Sequence, residues 1–195
     1  MTIHPIKIAG RWKEGFALDY HVISSDYVGD DEFGRPRFDT KRSELGELLY
    51  RLKYQSEDSA IEEIVKTATE FVRCWDVQAE AIVPVPPTRV GRLRQPVVML
   101  ARALGSSLGL NVFENVVSKV KETPQLKDVD DYNKRLTLLD GAFRVDSSKV
   151  RGLRILLVDD LFRSGATMNA VSSALYEQGG AAEVYAFALT RTRRR

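Results

Sequence analysis

Residues 154–180 read RILLVDDLFRSGATMNAVSSALYEQGG, and no other stretch restricts the fold of this chain as strongly. Ile155, Leu156, Leu157 and Val158 form a continuous apolar run, the pattern of a strand buried on both faces of a parallel sheet. Two carboxylates, Asp159 and Asp160, follow where that strand is expected to end. A small polar loop comes next: Arg163, Ser164, Gly165, Ala166 and Thr167. Beyond it Met168, Val171, Ala174 and Leu175 share one helical face, and Gly179–Gly180 supplies a C-terminal stop. Strand, acidic pair, glycine-containing loop, helix is an α/β order.

That order favours a particular ligand chemistry. Open α/β sheets bind ligands at the carboxyl ends of their strands. The N-terminus of the following helix offers unpaired N–H groups and a partial positive charge, which suit a phosphate. Ser164 and Thr167 add hydroxyl donors, and Gly165 lets the backbone approach an anion closely. The carboxylates would repel that phosphate. They can instead accept hydrogen bonds from vicinal hydroxyls, or from waters on a hard cation such as Mg²⁺. A ribose 5-phosphate unit meets both demands.

LLVDDLFRSGAT, residues 156–167, resembles the phosphoribosyl pyrophosphate (PRPP) signature of type I phosphoribosyltransferases. That signature is an apolar strand, two acids, two apolar residues, then a Thr/Ser-rich loop with Gly and a final Thr. The chain departs from it at Arg163, where the pattern carries Thr or Asp. An Asp there has a proton-transfer role in the 6-oxopurine transferases, so Arg163 argues against that group.

A second informative stretch is Ala81-Ile82-Val83-Pro84-Val85-Pro86-Pro87-Thr88, a short apolar strand ending in a proline-rich turn. Arg89, Arg92 and Arg94 follow closely. Proline restricts its own φ and its predecessor's conformation, so the loop is stiff. Stiffness serves where backbone N–H groups must be fixed around an anion, and three arginines beside it suit a pyrophosphate. Gln95 and Pro96 then open a helix through Val97, Val98, Leu100, Ala101 and Leu104.

The remaining elements are read from periodicity. Ile3, Ile6 and Ile8, then residues 12–23 beyond Gly10-Arg11, predict a β-hairpin, and residues 26–37, rich in Asp, Gly and Pro, predict a loop. A helix is expected from Thr40 as N-cap, with Leu45, Leu48, Leu49 and Leu52 on one face. Helix restarts near Ser56–Ser59, where Ile61, Ile64, Val65, Ala68, Phe71, Val72 and Trp75 keep the helical period. Residues 112–120 predict a strand, 128–135 a helix behind an Asp cap, and 183–190 a last buried strand.

The expected architecture is α/β: a Rossmann-like type I phosphoribosyltransferase fold, a mostly parallel twisted sheet flanked by helices, with a small N-terminal β-hairpin appendage. The division expected is residues 1–38 as the hairpin and loop appendage and 39–195 as the main domain. Lys and Arg total 29 against 27 Asp and Glu, a balance that gives no general argument for nucleic-acid binding; the basic tail at 191–195 reads as a solvated terminus. Cys74, the only cysteine, excludes an intramolecular disulfide and a cysteine-based zinc site, and its helical position predicts a buried or half-buried side chain. His4 and His21, the only histidines, have no metal-ligand spacing. The N-terminus lacks a signal-peptide core and no apolar run reaches membrane-spanning length, so a cytoplasmic protein is expected.

Across residues 45–190 the pattern resembles the ComF-like (GntX-like) branch of that family. The resemblance rests on Arg51-Leu52-Lys53-Tyr54, on Ile82 to Pro86 with the arginines and Gln95, on Thr123-Pro124-Gln125 with Arg135 and Gly141-Ala142-Phe143, and on the PRPP-like signature. The four-cysteine zinc ribbon that members often carry is absent. The resemblance implies transfer of the 5-phosphoribosyl group from PRPP to a nitrogenous base or related acceptor, with release of pyrophosphate. Asp159 and Asp160 would orient ribose hydroxyls or waters on Mg²⁺. Arg163, Ser164, Gly165, Ala166 and Thr167 would anchor the 5-phosphate, and Val85, Pro86, Pro87, Thr88 and Arg89 the pyrophosphate. Residues 119–135 would form a lid, and a homodimer is compatible. The alternative is a PRPP- or nucleotide-binding regulatory module without turnover, of the kind tied to DNA uptake or nucleotide handling.

Overall fold

The structure is a computed structural model; it describes residues 1–55, 57–87, 95–121 and 131–193. The chain begins with an antiparallel hairpin of β1 (Ile6–Lys7) and β2 (Glu14–Tyr20), as the alternating isoleucines suggested. β2 also pairs in parallel with the last strand, β10 (Glu183–Arg191), so it belongs to the main sheet. A second hairpin follows, β3 (Val22–Asp30) with β4 (Pro36–Arg42), and it projects as a separate two-stranded ribbon. The expected loop over 26–37 is therefore corrected. Its Asp, Gly and Pro mark only the turn, where the Asp31 carboxylate accepts the N–H groups of Phe33 and Arg35, both at 2.9 Å. Tyr27 faces Phe38 across the ribbon, with ring centroids 5.9 Å apart. The boundary between residues 38 and 39 falls inside β4.

Thr40 lies in β4 and caps nothing; α1 (Glu44–Tyr50) starts three residues after the expected point's neighbourhood, behind Ser43. The Ser43 hydroxyl accepts the Gly46 N–H at 3.0 Å and donates to the Tyr20 carbonyl at 2.5 Å, which ties the helix start to the end of β2. After α1 the chain makes a π-helical turn, Arg51–Gln55. α2 (Ala60–Trp75) buries Ile64, Val65, Ala68 and Val72 and ends at Asp76. Cys74 is exposed on the solvent side of α2, which corrects the expected burial. β5 (Ala81–Pro84) is wholly buried, and α3 (Pro96–Leu108) has Pro96 in its first turn.

The single strand expected over 112–120 is two short ones: β6 (Asn111–Val112), parallel to β5, and β7 (Val117–Lys119), antiparallel to β8 (Phe143–Val145). Between them lies α4 (Tyr132–Leu139), capped by Asp131, whose carboxylate accepts the Lys134 N–H at 2.9 Å. A short α5 (Ser147–Val150) leads into β9 (Arg154–Phe162), then α6 (Ala166–Glu177) and β10.

The main sheet runs β1-β2-β10-β9-β5-β6, and from β2 to β6 every neighbouring pair is parallel. Alternation along the strands builds two cores. Ile155, Leu157, Val184, Ala186 and Ala188 face α6, while Leu156, Val158, Tyr185, Phe187 and Leu189 face α1, α2 and α3. Each fully buried Leu, Ile or Phe contributes about 1.5–3 kcal/mol relative to exposure. Helices on both faces thus explain why β9 and β10 carry continuous apolar runs. From β5 the chain leaves toward β6, and from β9 it leaves toward β10 on the other side. The carboxyl ends of β5 and β9 therefore flank a topological switch point. No helix among the described residues is long and apolar enough to cross a membrane.

Candidate functional site

Both segments singled out in the sequence meet at this switch point. Pro84 pairs with Val158, and the Val85 N–H donates to the Val158 carbonyl at 2.8 Å. Val85 is buried and Pro86 and Pro87 are half-buried beside the end of β9. Thr88, Arg89, Arg92 and Arg94 lie outside the described residues, as do residues 122–130 of the expected lid.

β9 does not end at the acidic pair. It continues through Phe162, and the strand alternation separates the two carboxylates. Asp159 lines a cleft together with Arg135, Leu161, Phe162 and residues 163–168. Asp160 instead meets Lys53, whose Nζ lies 2.7 Å from its Oδ2. The cleft measures about 90 Å³. Pockets that engulf a whole drug-sized molecule span roughly 300–1,000 Å³, so this one matches an anion of phosphate size.

Gly165 sits at φ +79°, in the left-handed region, as the residue preceding α6. A Cβ there would also lie 2.7 Å from the Phe162 ring. Glycine is required on both counts, and with no side chain it does not cover the first turn of α6, where the Ala166 N–H donates to Ser164 Oγ at 3.5 Å. Ala166, Thr167 and Met168, the first turn itself, line the cleft, and Ser164 is half-buried at its mouth. Arg163 is exposed. The loop thus combines a helix N-terminus, two hydroxyls and a guanidinium around one small hollow.

Burial pushes the Asp159 carboxyl up to about 7, and the neighbouring Asp160 charge adds to the rise. The N–H groups of Asp160 and Leu161 and the Lys53 charge oppose it; the Asp160 N–H donates to Asp159 Oδ1 at 2.8 Å. On the far side of β9, Thr190 donates to the Asp160 carbonyl at 3.3 Å, and its hydroxyl lies 3.3 Å from His21 Nδ1. Burial, then the charges of Lys53 and Arg42, drive the His21 imidazole down to about 4. Arg42 is stacked over the Tyr50 ring at 3.9 Å and paired with Glu47 at 3.3 Å.

The donor set can be tested against Mg²⁺. Among the described residues no group of three or more His, Cys, Asp or Glu side chains converges. Mg²⁺ keeps several waters and is held by one or two carboxylates plus substrate phosphates. Asp159, a cleft carboxylate whose charge is disfavoured by its surroundings, fits such an ion or its water shell. Asp160 is already matched by Lys53.

No protein-family model matches the chain, and no curated protein matches it. Solved structures do. The allosteric regulatory enzyme of purine biosynthesis aligns with 81% of this chain and 34% of its own, at 16% identity and a TM-score of 0.50, so the present chain spans about a third of that protein. Adenine phosphoribosyltransferase of Saccharomyces cerevisiae aligns over 86% of this chain and 85% of its own, with 11% identity and a TM-score of 0.48. The enzyme of Leishmania tarentolae aligns over 96% and 94%, with 8% identity and a TM-score of 0.49. The likeness to the purine-biosynthesis enzyme is one of fold: a mostly parallel sheet with helices on both faces.

Several site residues had no role assigned from the sequence. Nothing in the local pattern around Lys53 or Arg135 points to Asp160 or to the cleft. Metal-ligand spacing, which His21 lacks, is blind to an imidazole packed beside a strand. Phe162 and Leu161 read as ordinary apolar residues after the acids.

Proposed function

We propose that this protein binds PRPP together with Mg²⁺ and transfers its 5-phosphoribosyl group to a nitrogenous acceptor. The observation that carries the reading is the convergence, in one cleft at the sheet's switch point, of Asp159 with the Arg163–Thr167 loop and the start of α6. The 5-phosphate would lie against residues 164–167, where N–H groups and hydroxyls are preset for an anion. Asp159 would accept hydrogen bonds from the ribose hydroxyls. Val85, Pro86 and Pro87, fixed beside the end of β9, would border the pyrophosphate, with Thr88 and Arg89 next in the chain. Bound Mg²⁺ would supply charge neutralisation to the departing pyrophosphate.

In the transfer the bond from ribose C1 to the pyrophosphate oxygen breaks, the electron pair leaves with pyrophosphate, and a bond forms from the acceptor nitrogen to C1. The chain's part is to position the reacting groups and hold charge on both sides of C1. A calorimetric titration with PRPP and Mg²⁺, followed by a screen of heterocyclic acceptors for pyrophosphate release, tests the reading. Binding plus acceptor-dependent release is the expected result; absence of PRPP binding at millimolar concentration would overturn it.

One observation favours a second reading, a PRPP- or nucleotide-binding regulatory module of the ComF type. Only one of the two acids lines the cleft, since Asp160 is engaged by Lys53. Under that reading PRPP raises the melting temperature through linkage while no acceptor increases pyrophosphate release.

A further inference from the structure

The phosphate loop does not stand alone. Its shape is fixed from behind by a contact between α6 and the loop that joins β1 to β2. Asn169 lies one turn into α6, with its backbone N–H donating to the Gly165 carbonyl at 2.8 Å. Its side-chain Nδ2 donates to that same carbonyl at 3.0 Å. The amide oxygen, Oδ1, accepts the backbone N–H of Arg11 at 2.7 Å. One side chain therefore joins the left-handed glycine of the anion loop to a main-chain group from the other end of the sequence.

Further contacts hold the same N-terminal loop against the same helix. Arg11 Nη1 lies 2.6 Å from Glu177 and donates to Ser173 Oγ at 3.2 Å, and Ser172 Oγ donates to the Arg11 carbonyl. Trp12, buried and with its indole N–H on the Ile8 carbonyl at 3.0 Å, meets Phe162 edge-on with centroids 6.3 Å apart. Phe162 is in turn the ring against which Gly165 is closed. The loop thus has an aromatic stop on one side and an amide clip on the other.

We propose that Asn169 is a positioning residue of the anion cradle: by clipping the Gly165 carbonyl to the Arg11 N–H, it holds the first-turn N–H groups of α6 in register with the cleft. The inference rests on the phosphate-binding reading of that cleft. A carbonyl that takes two donors along the helix direction cannot swing toward the anion, where it would repel it. Fixing it beforehand removes the ordering cost from the binding step. The clip also gives the β1–β2 loop a function at a site it does not line: it is the anchor for the back of the cradle.

Inorganic phosphate is the probe, titrated calorimetrically into the full chain and into Asn169→Ala, Asn169→Asp and Ser173→Ala, with the ligand-free melting temperature of each. Asn169→Ala removes both arms of the clip. Asn169→Asp keeps the acceptor for Arg11 but replaces the donor to Gly165. Ser173→Ala cuts only a contact of the Arg11 side chain. We expect the phosphate Kd to rise by about fivefold or more in both Asn169 variants, the scale of one lost hydrogen bond, with Ser173→Ala unchanged. Asn169→Asp also sets a carboxylate oxygen against the Gly165 carbonyl and adds a charge that repels the anion, so the comparison of wild type with Asn169→Ala is the decisive one. Equal phosphate affinity in wild type and Asn169→Ala would overturn the inference and leave the cradle reading standing. Wild type that takes up no phosphate at millimolar concentration would overturn the cradle reading, and the clip with it.

Discussion

The Nζ of Lys53 lies 2.7 Å from Oδ2 of Asp160, with only 20% and 18% of the two side chains accessible. This pair gives the two adjacent acids of β9 different lives. Asp160 is matched to a cation on the face of the sheet covered by α1 and α2. Asp159, one residue earlier and on the opposite face, lines the cleft and has its charge disfavoured. Lys53 reaches Asp160 from a π-helical turn, an irregularity frequently found at functional sites.

Because the pair is mostly enclosed, its loss should exceed that of a surface ion pair. Lys53→Met is expected to lower stability by about 1–3 kcal/mol, the scale of a charged group left without its hydrogen-bond partner. Combined with Asp160→Asn in a double-mutant cycle, the coupling should be roughly 1–3 kcal/mol by denaturant unfolding. A coupling below about 0.5 kcal/mol would place the pair with ordinary surface bridges.

Gly165 offers a sharper test of the loop. Alanine there must adopt φ near +79° and push its Cβ into the Phe162 ring. Gly165→Ala should cost about 1–3 kcal/mol of stability through the strained backbone alone. The double variant with Phe162→Leu should recover part of that by removing the ring. If Gly165→Ala melts like wild type and still binds phosphate equally, the conformation described for this loop is wrong.

His21 fixes the sign of one pH effect. Its folded-state value is lowered to about 4, by burial first and by Lys53 and Arg42 next, whereas an unfolded histidine titrates near ~6.5. Between these values the unfolded chain binds more protons. The stability contributed by the neutral ring is therefore present above ~6.5 and is lost as pH falls toward 4. His21→Asn should flatten the stability profile over that window, measured as the difference from wild type in urea unfolding at each pH. A wild-type-minus-variant difference that does not change between pH 7 and pH 4 would exclude this role.

Much of the site could be read from the chain because its parts are local. The run from Ile155 to Val158, the acids, Gly165 and the α6 periodicity lie in one segment, and the apolar stretch at 81–85 carries its own strand signal. Periodicity failed where tertiary contacts decide. Residues 26–37 look like a loop because Asp31 and Gly34 build a turn there, yet Tyr27 and Phe38 pair across it. Thr40 is as good a cap by type as Ser43, but only Ser43 stands within reach of both Gly46 and the Tyr20 carbonyl. Lys53 and Asp160, or Arg11 and Asn169, are far apart in sequence, and no local pattern announces that they meet. The separation of the acids was open to inference from strand alternation, had β9 been expected to run past them.

Asp159 provides the test that joins electrostatics to ligand binding. Burial and the Asp160 charge raise its folded value to about 7, well above the ~3.9 of an unfolded aspartate. Between those values the folded chain binds more protons, so the group's favourable contribution is present below ~3.9 and is lost as pH rises through about 7. Asp159→Asn removes the charge and nearly keeps the shape. In the absence of ligand it should therefore raise the melting temperature at pH 8 and leave it almost unchanged at pH 4. PRPP with Mg²⁺ should reverse the ranking at pH 8, because the wild-type carboxylate then accepts hydroxyl or Mg²⁺-bound water donors that the amide serves less well. A loss of about 1–3 kcal/mol in binding free energy is expected for Asp159→Asn by calorimetry at that pH. A variant that is more stable alone and weaker toward PRPP identifies Asp159 as an acid kept at a cost to the fold for its ligand. A variant more stable alone but equal to wild type toward PRPP would show that the ligand does not use this carboxylate.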